Sequence, residues 1–539
     1  MKSDCFESAG HLQQEAPTGY QYITGVEPRF EAVRRELESL LGLVDIESNG
    51  QAVNVTGFRL KNLPAWRTMN SASPLDTLGA LSGVCNYDCQ FCFERGHPFV
   101  QDKSVLSVPE ATTRLKYYDP VTKSALFPSS RPYKETFINP DALAILSSAR
   151  AAQPDCTLWI TSNGSGLNEE TVAKLAELKP LMIKLSINSA DMEIRRQLTG
   201  RRRGDATAIR APELLQKYGI PFMGSIVAWP SVFPDDMTAT LHHMDMFEPY
   251  TLKVRLPVYH RFLYRNPPFE RNFWNRVLEA CREIQPELQS PLFVEPSFYW
   301  IDPVVPEVDG VVRHSPAAAA GMTCGDRIIS VDGESVYTRT HALNLLDVAY
   351  RRGRKQVVVG FSRAGTGEDL SCTLSTGRGS YPWDGRVFSP WERWGILLLP
   401  DFRMSDLENI MRIIERHDSA RPLLFSSPVV APIARTVIRG IPHYRSFFKS
   451  RPLNIRALDR TLLGGNMRLL DGRFVADFID DIERFARKKG ELPDLIMIPN
   501  AFGNPWGVDL LNHSFIEIER RFRVPVELVE WPILYGKDV

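Results

Sequence analysis

Cysteine is scarce in this sequence and unevenly placed. Of eight in 539 residues, Cys85, Cys89 and Cys92 are bunched, Cys5, Cys156, Cys281, Cys324 and Cys372 stand singly, and none follows Cys372. A disulfide framework would be denser and better paired. Excess charge of either sign is also missing: 64 Lys and Arg balance 64 Asp and Glu. That balance gives no general steering toward nucleic acid or an anionic membrane, so neither is expected as a partner. Long apolar runs are absent too. WGILLLP falls far short of the ~18 residues a span requires. The opening MKSDCFESAGHLQQEAP has no signal-peptide pattern, and together these absences place the protein in the cytoplasm. There is no repeat and no low-complexity tract. What is present is ordinary globular material, 43% hydrophobic and 24% charged, enough for cores in roughly three to four domains.

The bunched cysteines lie in SGVCNYDCQFCFERG, spaced CxxxCxxC with Phe91 just before the third. Three thiolates on one short loop can hold three irons of a [4Fe–4S] cube, leaving the fourth iron open to a chelating molecule. Zinc is the alternative. It normally takes four ligands, and no fourth cysteine or histidine stands at a usual offset, His97 being the nearest. The five scattered cysteines read as packed or idle thiols.

Residues 1–73 read as an N-terminal extension. It has a frayed start, a helix-spaced PRFEAVRRELESLLGLV and a strand-like AVNVTGFRL. It has neither the size nor the histidine signature of a cobalamin domain. From 74 to 297 strands and helices alternate. LDTLGALSG is a strand that enters the cysteine loop. KETFINPDALAILSSAR is a strand end and a helix, opened by Asn139-Pro140-Asp141 with an Asx cap and a proline just inside. TLWITSNG, LMIKLSIN, IPFMGSIVAW and TLKVRLPVYH are strands, with EETVAKLAELK, DMEIRRQL and APELLQKYG as helices between them. Repeated βα units predict a parallel sheet covered by helices, an α/β partial barrel whose chemistry lies at the carboxyl ends of its strands.

With the CxxxCxxC loop and these βα units, residues 75–260 resemble the radical SAM superfamily, whose members bind S-adenosylmethionine at the open iron through its amino and carboxylate groups. The resemblance implies Cys85, Cys89 and Cys92 as cluster ligands and Phe91 as packing beside the cluster or the adenine. Where that family carries a GGEP-like turn, this chain has Tyr133-Lys134-Glu135-Thr136, keeping the glutamate but not the glycines. Thr161-Ser162-Asn163-Gly164 matches the TTNG pattern, which brings in Asn163, and KLSINSAD matches the fourth-strand segment. Ser186 and Asn188 are thereby candidates for the cofactor's ribose or carboxylate, and Ser225 on the next strand is a weaker one. Arg195 or Arg196, the second being preferred, offers a planar fork of donors to the carboxylate. Arg201 to Arg203 read as a solvated loop, with an anion-binding rim as the alternative. Tyr133, Tyr259 and His260 lie near strand ends and read as structural.

Residues 298–376 resemble a bacterial-type PDZ domain: SPAAAAG, a GDRIISVDG hairpin, the helix HALNLLDVAYRR, then the strands QVVVGFSR and DLSCTL. Such domains bind extended peptide ends by adding a strand to a sheet edge. Packing against the barrel or the C-terminal part is the equally weighted alternative. Residues 377–539 are mixed α/β, with amphipathic helices at MSDLENIMRIIERH and GRFVADFIDDIERFARKKG and a strand at PDLIMIPN. RPLLFSSPVVAPIARTVIRGI stays unassigned between strand and helix. LLGGNMRLLDG and PDLIMIPNAFGNPWGVDLL resemble a C-terminal domain of unknown function found with PDZ and radical SAM modules in some bacterial Fe–S proteins, although there the PDZ module comes first. Gly464-Gly465-Asn466 reads as a plain turn, with a ligand-binding loop as the alternative.

The resemblance implies reductive cleavage of S-adenosylmethionine to methionine and a 5′-deoxyadenosyl radical that abstracts hydrogen from an unreactive C–H bond. It also implies an electron donor such as flavodoxin or ferredoxin. The substrate is then a small molecule, with a protein or peptide recruited by the PDZ module as the second reading. A non-catalytic Fe–S or zinc scaffold is the third.

Overall fold

In the computed structural model of the chain, the described residues are 46–48, 51–53, 81–92, 95, 105–115, 125–126, 135–154, 157–200, 204–295, 305–376, 392–398, 404–458, 461–466, 473–499, 509, 511, 513–529 and 531. Tyr133, His97, Arg201 to Arg203, Cys5, Cys156 and the helix expected at PRFEAVRRELESLLGLV lie outside them.

A short antiparallel pair, β1 (Ile46–Ser48) and β2 (Gln51–Val53), comes first. Then follow α1 (Val108–Leu115), β3 (Ala125–Leu126), α2 (Ala142–Ala152), β4 (Thr157–Ser162), α3 (Glu169–Ala176), β5 (Leu181–Ser186), α4 (Met192–Thr199) and α5 (Asp205–Lys217). β6 (Phe222–Val227), α6 (Asp235–Asp245), β7 (Thr251–Arg255), α7 (Phe273–Ile284) and β8 (Leu292–Glu295) complete the unit. β3 to β8 form one parallel six-stranded sheet in chain order. Of the strand expected at LDTLGALSG, residues 81–83 are described, and Ser82 makes a single bridge to Val105.

The expected strand end at Glu135 is a single 3-10 turn, Thr136–Ile138. Asn139 does not cap α2. Its amide donates to the carbonyls of Leu81 and Leu106, both at 2.8 Å, and its Oδ1 accepts the Asp141 N–H. Pro140 lies just outside the helix, whose N-cap is Asp141.

Side chains on a strand alternate between faces, and the two faces of this sheet differ. Leu158, Ile160, Leu181, Ile183 and Leu185 pack under α2, α3 and α5 in one large core. The opposite, inner face carries Trp159, Met182 and Met223 low on the strands, with Tyr250 just ahead of β7. Toward the carboxyl ends this face turns polar, through Lys184, Lys253, Arg255 and Glu295 to Ser186 and Asn163. Glu295, buried at 6% exposure, is held between Lys253 at 2.9 Å and Arg255 at 3.0 Å.

The low apolar patch is covered by the next unit. That unit comprises β9 (Gly310–Val311), α8 (Pro316–Ala319), β10 (Arg327–Val331), β11 (Glu334–Ser335), α9 (Arg339–Arg351), β12 (Gln356–Ser362) and β13 (Asp369–Ser375). β11, β10, β12 and β13 form an antiparallel sheet. β9 pairs instead with β14 (Ile396–Leu397), from beyond residue 376, with Asp309 N–H donating to Leu397 and Val312 N–H to Gly395. Trp394, Ile396 and Leu398 are buried in this unit's core. Val312 and Leu397 then pack on Trp159, Met182 and Tyr250, closing the lower inner face of the six-stranded sheet. Gly310 is required there, because a Cβ would lie 2.6 Å from Pro291 Cβ.

The last unit comprises α10 (Met404–Arg416), β15 (Pro422–Ser426), α11 (Val430–Gly440), α12 (Pro442–Ser450), β16 (Asn454–Ala457), α13 (Val475–Lys489), β17 (Leu495–Pro499), α14 (Ile516–Phe522) and β18 (Val526–Val529). RPLLFSSPVVAPIARTVIRGI thus resolves into β15 and α11. The sheet order is β16-β15-β17-β18, all parallel, with helices burying apolar faces against it.

Candidate functional site

The cysteine loop, residues 81–92, is fastened to the end of α4. A helix leaves its last carbonyls without partners, and here the loop supplies donors. Asp88 N–H donates to Thr199 at 2.9 Å and Gln90 N–H to Leu198 at 3.0 Å, while Gln90 Nε2 donates to Gln197 at 3.0 Å. α4 starts at Asp191, whose carboxylate accepts the N–H groups of Glu193 and Ile194, and stops at Gly200 in the left-handed region at φ +67°. That stop leaves the α4 carbonyls open to the loop. On its other side the loop is held by Glu135 N–H to Val84 O and by Asn139 on Leu81.

Cys85 is exposed, and Cys89 and Cys92 are half-buried. The Cys89 thiol is pushed far above its ordinary value, first by burial and then by the neighbouring sulfurs of Cys92 and Cys85. Thiolates at these positions therefore call for a positive partner, as a metal–sulfur cluster provides. Cys85 Sγ accepts the Tyr87 N–H at 3.5 Å, and Asn163 Nδ2 lies 3.7 Å from it. Among the described residues, no three His, Cys, Asp or Glu side chains are gathered as a single-ion site requires. Ligands of a cube go to different irons and need no such convergence. The donor set, three thiols on one loop with N–H groups facing a sulfur, fits a cluster.

Asn163, at the carboxyl end of β4, is the node of the site. Its Nδ2 donates to Asn86 Oδ1 at 2.9 Å, its Oδ1 accepts the Ser165 N–H, and its backbone carbonyl accepts Arg195 Nη2 at 2.9 Å. Its backbone N–H donates to Glu135 Oε2 at 2.6 Å. Glu135 is buried. Its other oxygen accepts the Ser162 hydroxyl at 2.9 Å and the Phe137 N–H at 3.2 Å. Burial pushes its carboxyl up, while those donors and Arg195 pull it back.

The two arginines of α4 face different ways. Arg195 is fully buried, 3.2 Å from Asp205 and over the ring of Tyr87. Burial pushes the Tyr87 hydroxyl up to about 12, with Arg195 pulling it down and Asp205 raising it. Arg196 is half-exposed on the outer side and pairs with Glu193 at 2.5 Å. Of the fourth-strand pair, Asn188 is buried at φ +65°. It donates to Ser186 Oγ at 3.1 Å and accepts the Val227 N–H at 2.9 Å, tying β5 to β6. Ser225 pairs in register with Ser186.

Phe91 meets Trp229 edge-on at 6.0 Å between ring centres. Trp229 Nε1 donates to Gln90 Oε1, and its ring contacts Tyr264 and Phe269. Tyr259 joins through Phe269, and His260 is buried, its Nδ1 accepting the Leu263 N–H. The sequence reading did not single out Asn86, Tyr87, Gln90, Trp229 or Tyr264 as site residues. Two signals were available: Asn86 and Tyr87 sit between two of the clustered cysteines, and Trp229 ends an expected strand where a parallel sheet places its chemistry.

Residues 80–244 match the family model described as Radical SAM superfamily, and residues 307–357 match that of a PDZ domain. No curated protein matches the chain. Among solved structures, Streptococcus suis SuiB bound to S-adenosylmethionine is 16% identical with a TM-score of 0.32, over 40% of this chain and 49% of that one. Methylornithine synthase (PylB) is 15% identical with a TM-score of 0.30, over 51% of this chain and 77% of that one. anSMEcpe with bound AdoMet is 16% identical with a TM-score of 0.31, over 39% of this chain and 59% of that one. The chain spans about half the length of the SuiB structures it matches. The cysteine loop at the carboxyl ends of a parallel sheet and the family match fall on the same residues: the chain carries a radical SAM domain, followed by a PDZ domain.

Proposed function

We propose that the protein is a radical SAM enzyme that cleaves S-adenosylmethionine reductively at a [4Fe–4S] cluster and acts on a small-molecule substrate. One observation carries the reading: within the family match, Cys85, Cys89 and Cys92 sit on one loop fixed against the end of α4 and against Asn163 at the carboxyl end of β4. When bound, the cluster and S-adenosylmethionine supply an electron and a carbon radical able to take hydrogen from an unreactive C–H bond.

The residues divide the remaining work. Cys85, Cys89 and Cys92 hold three irons. Asn163 Nδ2 donates toward the Cys85 sulfur, a contact that would tune cluster potential. Phe91 packs beside the cluster, and Ser186 offers a hydroxyl to the cofactor. Glu135 and Asn188 act from behind, Glu135 by fixing the Asn163 backbone and Asn188 by joining two strand ends. Arg196 reaches the cofactor carboxylate only by leaving Glu193. Arg195, already on the Asn163 carbonyl, is the nearer cation to the site. An external donor such as flavodoxin or ferredoxin delivers the electron.

The small-molecule reading takes the PDZ unit as part of the chain's own packing. Its β9 edge is paired with the chain's own β14, and its Val312 and Leu397 are packed on the sheet's inner face. No helix among the described residues is long and apolar enough to cross a membrane.

Anaerobic reconstitution tests the proposal. The wild type is expected to bind four irons and four sulfides per chain, an order-of-one stoichiometry for one cube, and to form 5′-deoxyadenosine and methionine after dithionite. Cys92→Ala is expected to lose both properties. Cleavage retained in Cys92→Ala, or zinc in place of iron, overturns the reading. Dependence of turnover on a peptide ligand of the PDZ unit selects the protein-substrate alternative.

A further inference from the structure

The loop Thr461–Asn466 follows β16, at the carboxyl end of the C-terminal parallel sheet. It docks on Pro257–Arg261, which follows β7 at the carboxyl end of the six-stranded sheet. Asn466 makes the contact as a strand would: its Oδ1 accepts the Tyr259 N–H at 2.8 Å, its Nδ2 donates to Pro257 at 3.1 Å, and its own N–H donates to Tyr259 at 3.2 Å. Arg261 N–H donates to Leu463 at 2.9 Å. Gly465 permits this approach, since a Cβ there would lie 2.1 Å from the Tyr259 carbonyl oxygen. The loop is anchored behind by Asp477 on α13, which accepts the N–H groups of Leu462 and Phe474. Leu463 is fully buried, with Val258 packed against it.

The docked segment continues directly to the cysteine loop. His260 O accepts the N–H groups of Leu263 and Tyr264, which turns the chain back. The Tyr264 hydroxyl then donates to the Gln90 carbonyl at 2.9 Å, between Cys89 and Phe91. The Tyr264 ring also lies against Trp229, whose Nε1 holds the Gln90 side chain.

We infer that the C-terminal unit positions the cysteine loop: Asn466 fixes the Pro257–Tyr264 segment, and the Tyr264 hydroxyl carries that constraint to Gln90. Asn466 and Tyr264 are positioning residues. They touch no reacting atom, and each acts through the next. The catalytic consequence rests on the radical SAM reading, while the coupling itself does not.

Hydrogen–deuterium exchange on the full, iron-free chain tests the coupling. In Asn466→Ala, segments 257–264 and 85–92 are both expected to exchange about fivefold faster, the effect of losing one ordinary hydrogen bond. In Tyr264→Phe only 85–92 is expected to do so. Acceleration in Asn466→Ala confined to 257–264 overturns the inference, as does an unchanged 85–92 in Tyr264→Phe. The second variant removes one hydroxyl and keeps the test decisive if Asn466→Ala fails to fold. The double variant is expected to match the worse single at 85–92, because contacts in one path are not additive; a multiplied effect overturns the path. In reconstituted protein, both variants are expected to keep iron content while the electron paramagnetic resonance spectrum with S-adenosylmethionine changes. An unchanged spectrum in both overturns the positioning role. If the wild type takes up no iron, the radical SAM reading fails, and the exchange comparison still decides the coupling.

Discussion

The Glu135 carboxylate accepts the backbone N–H of Asn163 at 2.6 Å, and Asn163 in turn carries the amide that reaches Asn86 and the Cys85 sulfur. A buried acid thus holds the edge of the cysteine loop from behind. Its folded pKa is raised by burial, so between the ordinary glutamate range and that raised value the folded state binds more protons than the unfolded one. The Glu135 contribution is complete at pH below the ordinary value and is lost as pH rises through the folded value. Glu135→Gln keeps the shape, presents an amide to an N–H donor and is expected to cost about 1–3 kcal/mol at acidic pH. The gap from wild type should narrow as pH rises, measured by urea unfolding across pH 4 to 8, a range set by the ordinary carboxyl and histidine values of roughly 4 and 6.5.

Cysteine replacements should fall into two classes. Alanine at Cys85, Cys89 or Cys92 is expected to abolish iron uptake. Alanine at Cys281, buried in α7, or at Cys324 or Cys372 in the PDZ unit should leave it at the wild-type level. Colorimetric iron analysis of reconstituted protein decides this.

Asn163→Ala removes the amide from Asn86 and from the neighbourhood of the Cys85 sulfur while keeping the backbone contacts to Glu135 and Arg195. Hydrogen bonds to cluster sulfurs take part in setting the reduction potential. A more negative potential is expected, with iron content at no less than about half of wild type, since one ordinary hydrogen bond is worth only about 1 kcal/mol. Redox titration reads the first quantity and iron analysis the second.

Gly465→Ala places a methyl group into the Tyr259 carbonyl on a backbone at φ +70°. Forced packing costs about 1–3 kcal/mol and the left-handed backbone about 1–2 more. A lower thermal midpoint is expected, together with limited proteolysis appearing between the PDZ and C-terminal units.

Leu397→Ala empties a position shared by the PDZ core edge and the inner face, beside Trp159, Met182 and Tyr250. The expected loss is about 2–5 kcal/mol. Tryptophan emission should shift to the red as water reaches Trp159. A blue-shifted or unchanged spectrum would mean that the face is covered by something else.

The middle of the radical SAM unit could be read directly because β4, β5 and β6 are each runs of six residues rich in apolar side chains, typical for strands, and α3 and α4 have caps marking their starts; β3, with two residues, and β8, with four, were too short to stand out. Asp191 and Gly200 bracket α4 as sequence rules expect. The cysteine spacing announced its chemistry because three thiols on one loop have few other uses. Arg195 and Arg196 could not be told apart, since only the angle around α4 decides that one is buried on Asp205 and the other meets Glu193. The β9–β14 pair was hidden for a different reason: Gly310–Val311 and Ile396–Leu397 are far apart in sequence, and two-residue strands carry no periodicity. Asn466 looked like part of a turn because its partners, Pro257 and Tyr259, belong to another unit.

The cover over Trp159, Met182 and Tyr250 has a consequence for biosynthesis. Synthesis runs from the N-terminus, and domains generally fold as they emerge. The six-stranded sheet leaves the ribosome with β8, and Val312 follows soon after, yet the cover that the described residues give its inner face is completed only when Leu397 has been translated. The nascent chain therefore carries an incompletely covered aromatic and methionine-rich patch while the rest of the PDZ unit is made, a natural station for a chaperone that holds such surfaces until their own chain arrives.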